Sequence, residues 1–65
     1  MQIYLNGQPI ETHCENLLQL VQHLDLEGKR FAVEANEQII GKRQLEHTPI
    51  CAQDRIEIIH AVGGG

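Results

Sequence analysis

Aromatic residues are almost absent from this chain, whose 65 residues include one Phe, one Tyr and no Trp. Cations are also scarce, five Lys and Arg against nine Asp and Glu, for a formal net charge of −4. A protein without a basic stripe or a stacking platform lacks the two usual means of holding nucleic acid, and no nucleic-acid partner is expected. The acidic balance favours encounter with a partner that carries a basic patch. No apolar run is long enough to cross a bilayer, and no basic leader precedes an apolar stretch and a cleavage site. The chain therefore reads as cytoplasmic, with no membrane partner. Its two cysteines, Cys14 and Cys51, are expected as reduced thiols in that compartment.

Metal and catalytic signatures are missing too. His13, Cys14, His23, His47, Cys51 and His60 supply ligand types, but no two share the close spacing that structural metal sites use. Cys14 is a poor candidate for a reactive thiol, because the neighbouring Glu15 opposes the lowered pKa that reactivity needs. No Ser/His/Asp set and no phosphate-binding glycine loop occurs. At this length about 60% of the unfolded surface can be buried, enough for one domain but not for a deep enclosed active site. Catalysis by this chain alone is not expected.

The residues present spell out a fold. Met1 to Leu5 alternates apolar and polar positions, and Asn6-Gly7 is suited to a two-residue type I′ turn. The return strand, Gln8 to about Thr12, contains Pro9, which removes a backbone donor and predicts an edge strand. After Glu15 and Asn16, the residues Leu17, Leu18, Leu20, Val21 and Leu24 form the apolar stripe of an amphipathic helix. That helix is expected to stop near Asp25 to Glu27, with Gly28 as terminator and Lys29-Arg30 as the exit. Phe31 to Ala35 reads as a strand, Asn36-Glu37 as a turn, and Gln38 to Ile40 as a short strand closed by Gly41. Leu45 to Pro49 is expected to be a turn or a single helical turn. Arg55 to His60 is the strongest strand, with Ile56 and Ile58 facing inward.

Two strands, a helix, two strands and a last strand leave one helix to be covered by one sheet. The simplest two-layer solution is α+β, a mixed sheet of about five strands curled around the helix with the last strand central beside the first. That is the β-grasp, or ubiquitin-like, plan, spanning residues 1–60. Residues 61–65, Ala-Val-Gly-Gly-Gly, form a flexible tail that reaches about 15–18 Å when extended. Glycines at Gly63, Gly64 and Gly65 could thread a narrow channel in a partner, because they lack a Cβ. A glycine run alone is weak evidence, since chain ends commonly fray. A β-grasp domain that ends in Gly-Gly just past its last strand resembles the ubiquitin-like carriers and modifiers.

Within that group the sequence is similar to the sulfur-carrier proteins of thiamine biosynthesis, the ThiS family. The resemblance is carried by Met1 to Ile3 with Leu5-Asn6-Gly7, Phe31 to Asn36 with Gln38 to Ile40, Asp54 to Ile58, and Ala61 to Gly65. It implies that Gly65 is the covalent carrier, with Gly64 as the family's penultimate glycine. A ubiquitin-activating-type adenylyltransferase (ThiF-like) would adenylate the Gly65 carboxylate with ATP. Sulfur from a persulfide donor would then replace the adenylate, and the resulting thiocarboxylate would supply a thiazole synthase (ThiG-like). No bound cofactor is implied. The family usually has a glycine in the turn before the last strand where this chain has Gln53, so that turn is expected to differ. A docking surface is expected from Tyr4, Ile40 and Ile59, placed on the sheet face away from the helix. Rival readings keep the carrier chemistry for molybdopterin synthesis, transfer-RNA thiolation or lysine conjugation, or make the chain a β-grasp interaction module with an incidental tail.

Overall fold

The computed structural model describes residues 1–26 and 28–60. Along the chain run β1 (Gln2–Leu5), β2 (Gln8–Glu11), α1 (Leu17–His23), β3 (Phe31–Ala35), β4 (Gln38–Ile40), a 3₁₀ helix (Lys42–His47) and β5 (Arg55–His60). The five strands form one sheet in the order β2-β1-β5-β3-β4. Strand β5 lies at its centre, parallel to β1 and antiparallel to β3. This is the expected β-grasp, with the Pro9-bearing β2 at one edge.

Local chemistry explains the turns. Asn6 and Gly7 adopt φ of 51° and 82°, the pair of positive angles that a type I′ turn requires and that Asn and Gly tolerate best. The two-residue connection sets Leu5 opposite Gln8 and Ile3 opposite Ile10. Asn36 and Glu37 repeat the geometry between β3 and β4, at φ 52° and 72°.

Helix α1 begins at Asn16, whose side-chain oxygen accepts from the Gln19 amide at 2.9 Å, while Gln19 Oε1 accepts from the Glu15 amide at 2.7 Å. Each bond satisfies a backbone donor left open at a helix start. The other end departs from expectation. Helix α1 stops at His23, and Asp25, at φ 62°, is the left-handed residue that closes it, while Gly28, at φ 82°, serves the turn that follows, where the Lys29 amide donates to the Leu26 carbonyl at 3.0 Å. The Asp25 amide donates to the Gln22 carbonyl at 3.1 Å and the Leu26 amide to Val21 at 3.2 Å, which is the Schellman closure. Its hydrophobic clasp is present, because Leu26 and Val21 are both buried in the core.

The 3₁₀ helix begins three residues earlier than the sequence suggests, at Lys42, and is capped by Gly41 without a side-chain bond. Leu45 determines its placement: it is buried among the core residues contributed by α1 and the sheet. The following segment returns to the start of α1, where the Leu17 amide donates to Thr48 and the Ile50 amide to Glu15, both at 3.0 Å.

The core lies between sheet and helix. Ile3, Val33, Ala35, Ile56 and Ile58 enter it from the sheet, Leu17, Leu20 and Val21 from α1, and Leu26, Leu45 and Ile50 from the connections. Each fully buried branched side chain contributes about 1.5–3 kcal/mol.

Candidate functional site

Strand β5 leads directly to residues 61–65, so whatever fixes its C-terminal half fixes the base of the glycine segment. The backbone of β1 reaches only part of the way, pairing Tyr4 with Arg55 and Leu5 with Ile56. Beyond Leu5 the chain turns back, and the amide of Asn6 takes over. Its Oδ1 accepts from the Ile58 amide at 2.9 Å, its Nδ2 donates to the Ile58 carbonyl at 3.3 Å, and its backbone amide donates to Ile56 at 2.8 Å. One side chain thus continues the ladder that the strand abandons.

Asn36 performs the matching task at the other end of β5. Its Oδ1 accepts from the Arg55 amide at 3.0 Å, its backbone amide donates to the Arg55 carbonyl at 2.7 Å, and its Nδ2 donates to Asp54 Oδ1 at 3.1 Å. Both asparagines open two-residue turns, and in both the turn conformation aims the side chain at β5. Sequence reasoning found the two turns but missed this second role; an Asn at the first position of each turn, beside one central strand, was the available signal.

The loop into β5 corrects an expectation. Gln53 takes φ 71°, a left-handed conformation natural to glycine, so the glutamine keeps a glycine-like backbone at some strain. The strain is held in place by bonds on every side. The Gln53 amide donates to the Gln2 carbonyl at 2.7 Å, the Asp54 amide to Cys51 at 3.1 Å, and the Cys51 amide to Asp54 Oδ2 at 2.8 Å.

On the sheet face away from α1 the three expected docking residues do not come together. Ile40 is turned inward: the two-residue turn sets Ala35 opposite Gln38 and therefore Val33 opposite Ile40. Val33 is a core residue and Ile40 packs against that core. The strongly exposed residue of β4 is Ile39, at 81%. Ile59 does face outward, 66% exposed, and sits directly opposite Ala32. Ile39 is paired with Glu34, one pleat along from Ala32, so Ile39, Ala32 and Ile59 form a diagonal apolar row. Tyr4 shares this face but is half-buried beside Arg55, about 13 Å along the sheet from Ile59. Between these positions, Glu34 and Glu57 stand directly opposite each other.

At the C-terminal end of β5, His60 pairs with Phe31, and the Lys42 ammonium lies over the Phe31 ring at 4.8 Å from its centroid. Cys14 is half-buried and Cys51 exposed, both as free thiols. Among the described residues, no three His, Cys, Asp or Glu side chains converge as metal ligands. No described helix is long and apolar enough to cross a membrane. The expected carrier residue Gly65, with Gly63 and Gly64, lies outside the described residues.

The ThiS family pattern matches residues 3–65, from β1 through the terminal glycines. The chain belongs to the ThiS family. It is 37% identical over 65 residues to the sulfur carrier protein ThiS of Bacillus subtilis (strain 168), covering 97% of this chain and 98% of that protein. It is also 30% identical over 66 residues to a thiazole synthase of Magnetococcus marinus, where the matched segment is 20% of the longer protein. In structure it is similar to the crystal structure of the thiamine biosynthesis protein ThiS from Geobacter metallireducens. The TM-score there is 0.82 with 25% sequence identity, and all of both chains is covered.

Proposed function

We propose that this chain is a sulfur carrier of thiamine biosynthesis that bears its sulfur on the terminal carboxylate of Gly65. The observation that carries the reading is the ThiS family match, which runs through the glycine end rather than stopping at the domain. A carboxylate resists nucleophiles because its oxygen is a poor leaving group. Transfer of an adenylyl group from ATP, catalysed by a ThiF-like adenylyltransferase, makes that oxygen a leaving group. The terminal sulfur of a persulfide donor then attacks the acyl carbon and expels AMP, and a thiol cleaves the resulting acyl disulfide, being oxidised to a disulfide with the donor's inner sulfur and leaving the thiocarboxylate. Sulfur is more polarizable and more nucleophilic than oxygen, so the thiocarboxylate can attack an electrophilic carbon in the active site of a ThiG-like thiazole synthase. Hydrolysis of the acyl–sulfur bond then leaves the sulfur on the substrate carbon and returns the carrier as an ordinary carboxylate. The chain is a co-substrate rather than a catalyst, and it acts in the cytoplasm.

Partnership with a thiazole synthase is supported by the Magnetococcus marinus protein, in which a segment similar to this whole chain forms part of a thiazole synthase. For docking, the diagonal Ile39, Ala32 and Ile59 replaces the expected Tyr4, Ile40 and Ile59. It is exposed, apolar and ends beside the base of the glycine segment. Gly63 and Gly64 supply the slim backbone that a channel to the nucleotide requires.

Pyrophosphate release on mixing the chain with its cognate adenylyltransferase and ATP tests the assignment. Release should depend on the carrier and vanish when Gly65 is deleted. Undiminished release from the truncated chain would overturn it.

A further inference from the structure

The chain is acidic, yet four of its five cations, Lys29, Arg30, Lys42 and Arg43, fall at one end of the sheet. Strand register places them there. Lys29 and Arg30 lead into β3, and Lys42 and Arg43 leave β4. Because Val33 is opposite Ile40, Phe31 comes level with Lys42, and the Lys42 ammonium over the Phe31 ring confirms it. Phe31 is in turn paired with His60. The cationic end is therefore the end at which β5 hands over to residue 61.

All four cations are exposed, and the ion pairs among the described residues, Met1 with Glu11 and His47 with Glu46, involve none of them. The fifth cation, Arg55, begins β5 about 17 Å away, near Glu37 and the opposed pair Glu34 and Glu57. Cations are thus gathered at this end of the sheet, with Asp25 and Glu46 beside them in sequence and Glu46 paired to His47, while Arg55 alone stands among the carboxylates of the other end.

We propose that this cationic end docks against an acidic rim at the mouth of the adenylyltransferase channel that receives the glycine segment; the proposal rests on the carrier reading above. Distance selects the rim over the nucleotide. Five residues span about 15–18 Å when fully extended, so with Gly65 at the reacting phosphate the end of β5 lies up to that distance from the nucleotide, toward the channel entrance. Charge selects an acidic surface, because a chain of net charge −4 would otherwise approach such a surface against repulsion, and a local cationic patch orients the encounter. Electrostatics of this kind act on encounter and orientation, leaving the chemical step unchanged.

Steady-state adenylation with the cognate adenylyltransferase tests this. Lys42→Gln with Arg43→Gln should raise the KM for carrier about tenfold with kcat unchanged, and flatten the rise of KM with ionic strength. Lys42→Arg with Arg43→Lys should keep the parent value. Gln38→Glu with Gln53→Glu makes the same change in net charge at exposed positions toward the opposite end of the sheet and should leave KM within about twofold. Equal increases for the two charge-shifted variants, or none for the cationic-end variant, would overturn the proposal while leaving the carrier assignment intact. A rise in the KM for ATP instead would place the cations on the nucleotide and overturn the rim. Failure of the parent chain to be adenylated would overturn both readings. Thermal melts of each variant establish that kinetic changes come from folded protein.

Discussion

Replacing Asn6 by Ala removes the bonds that continue the β1 ladder along β5. Two side-chain bonds to Ile58, at 2.9 and 3.3 Å, disappear, while the backbone bond to Ile56 can remain. At about 1 kcal/mol per bond the loss is about 2 kcal/mol. Alanine must also hold φ near 51°, which adds about 1 kcal/mol because its Cβ meets the carbonyl oxygen in left-handed geometry. The expected destabilisation is about 2–4 kcal/mol, a large part of the total for a domain of this size. Asn6→Asp keeps an acceptor for the Ile58 amide and tolerates the turn, so it should lose about half as much. Urea unfolding gives the free energies. At about 4–8 °C per kcal/mol, the Ala variant should melt about 8–32 °C lower. Hydrogen exchange locates the effect, with the Ile58 amide losing protection ahead of Val33. An Ala variant within about 0.5 kcal/mol of the parent, with Ile58 still protected, would refute the role assigned to Asn6.

Other outcomes follow from the same geometry. Gln53→Gly and Glu37→Gly each relieve a positive φ, of 71° and 72°, and should be neutral to stabilising by up to about 1 kcal/mol in urea titrations; a loss above that would argue against backbone strain. Ile59→Asp should weaken binding to the adenylyltransferase in calorimetry and leave the circular dichroism spectrum intact, whereas Ile40→Asp should lower the melting temperature sharply. Equal and mild effects of the two would contradict the inward placement of Ile40. The Glu11 carboxyl titrates below its ordinary range, first because it accepts a bond from the Met1 ammonium at 2.7 Å, then because of that group's charge and that of His13. A lowered pKa stabilises the fold above the unfolded value and loses that effect as pH falls through the folded one. The acid limb of the melting temperature below about pH 4 should therefore be shallower in Glu11→Gln than in the parent; identical limbs would count against the ion pair.

Most of the fold was legible because its signals are local. Asn6-Gly7 announces a tight hairpin, Pro9 marks an edge, and Ile56 with Ile58 shows which face of the last strand is buried. Ile40 was misplaced because a three-residue strand with Ile39 and Ile40 side by side has no alternation to read. Parity came instead from the turn: two residues at Asn36-Glu37 set Ala35 opposite Gln38, and the inward Val33 then fixes Ile40. Helix α1 ends before Gly28 because closure depends on burying Leu26 against Val21, a tertiary contact that puts Asp25 in the left-handed position at the helix end and leaves Gly28, also left-handed, to the following turn. The 3₁₀ helix was half-seen because its one apolar residue, Leu45, leaves no period to count. The assignment of the carrier role to Gly65 comes from resemblance alone, since residues 61–65 lie outside the described residues.

Mass spectrometry of the intact chain tests the central claim most directly. After incubation with the cognate adenylyltransferase, ATP, a persulfide donor and a thiol reductant, the chain should gain the mass of one oxygen-to-sulfur exchange, located on Gly65 by fragmentation, and lose it again on turnover with thiazole synthase. An unchanged mass under conditions that load another ThiS family carrier, or sulfur located on Cys14 or Cys51, would contradict the account.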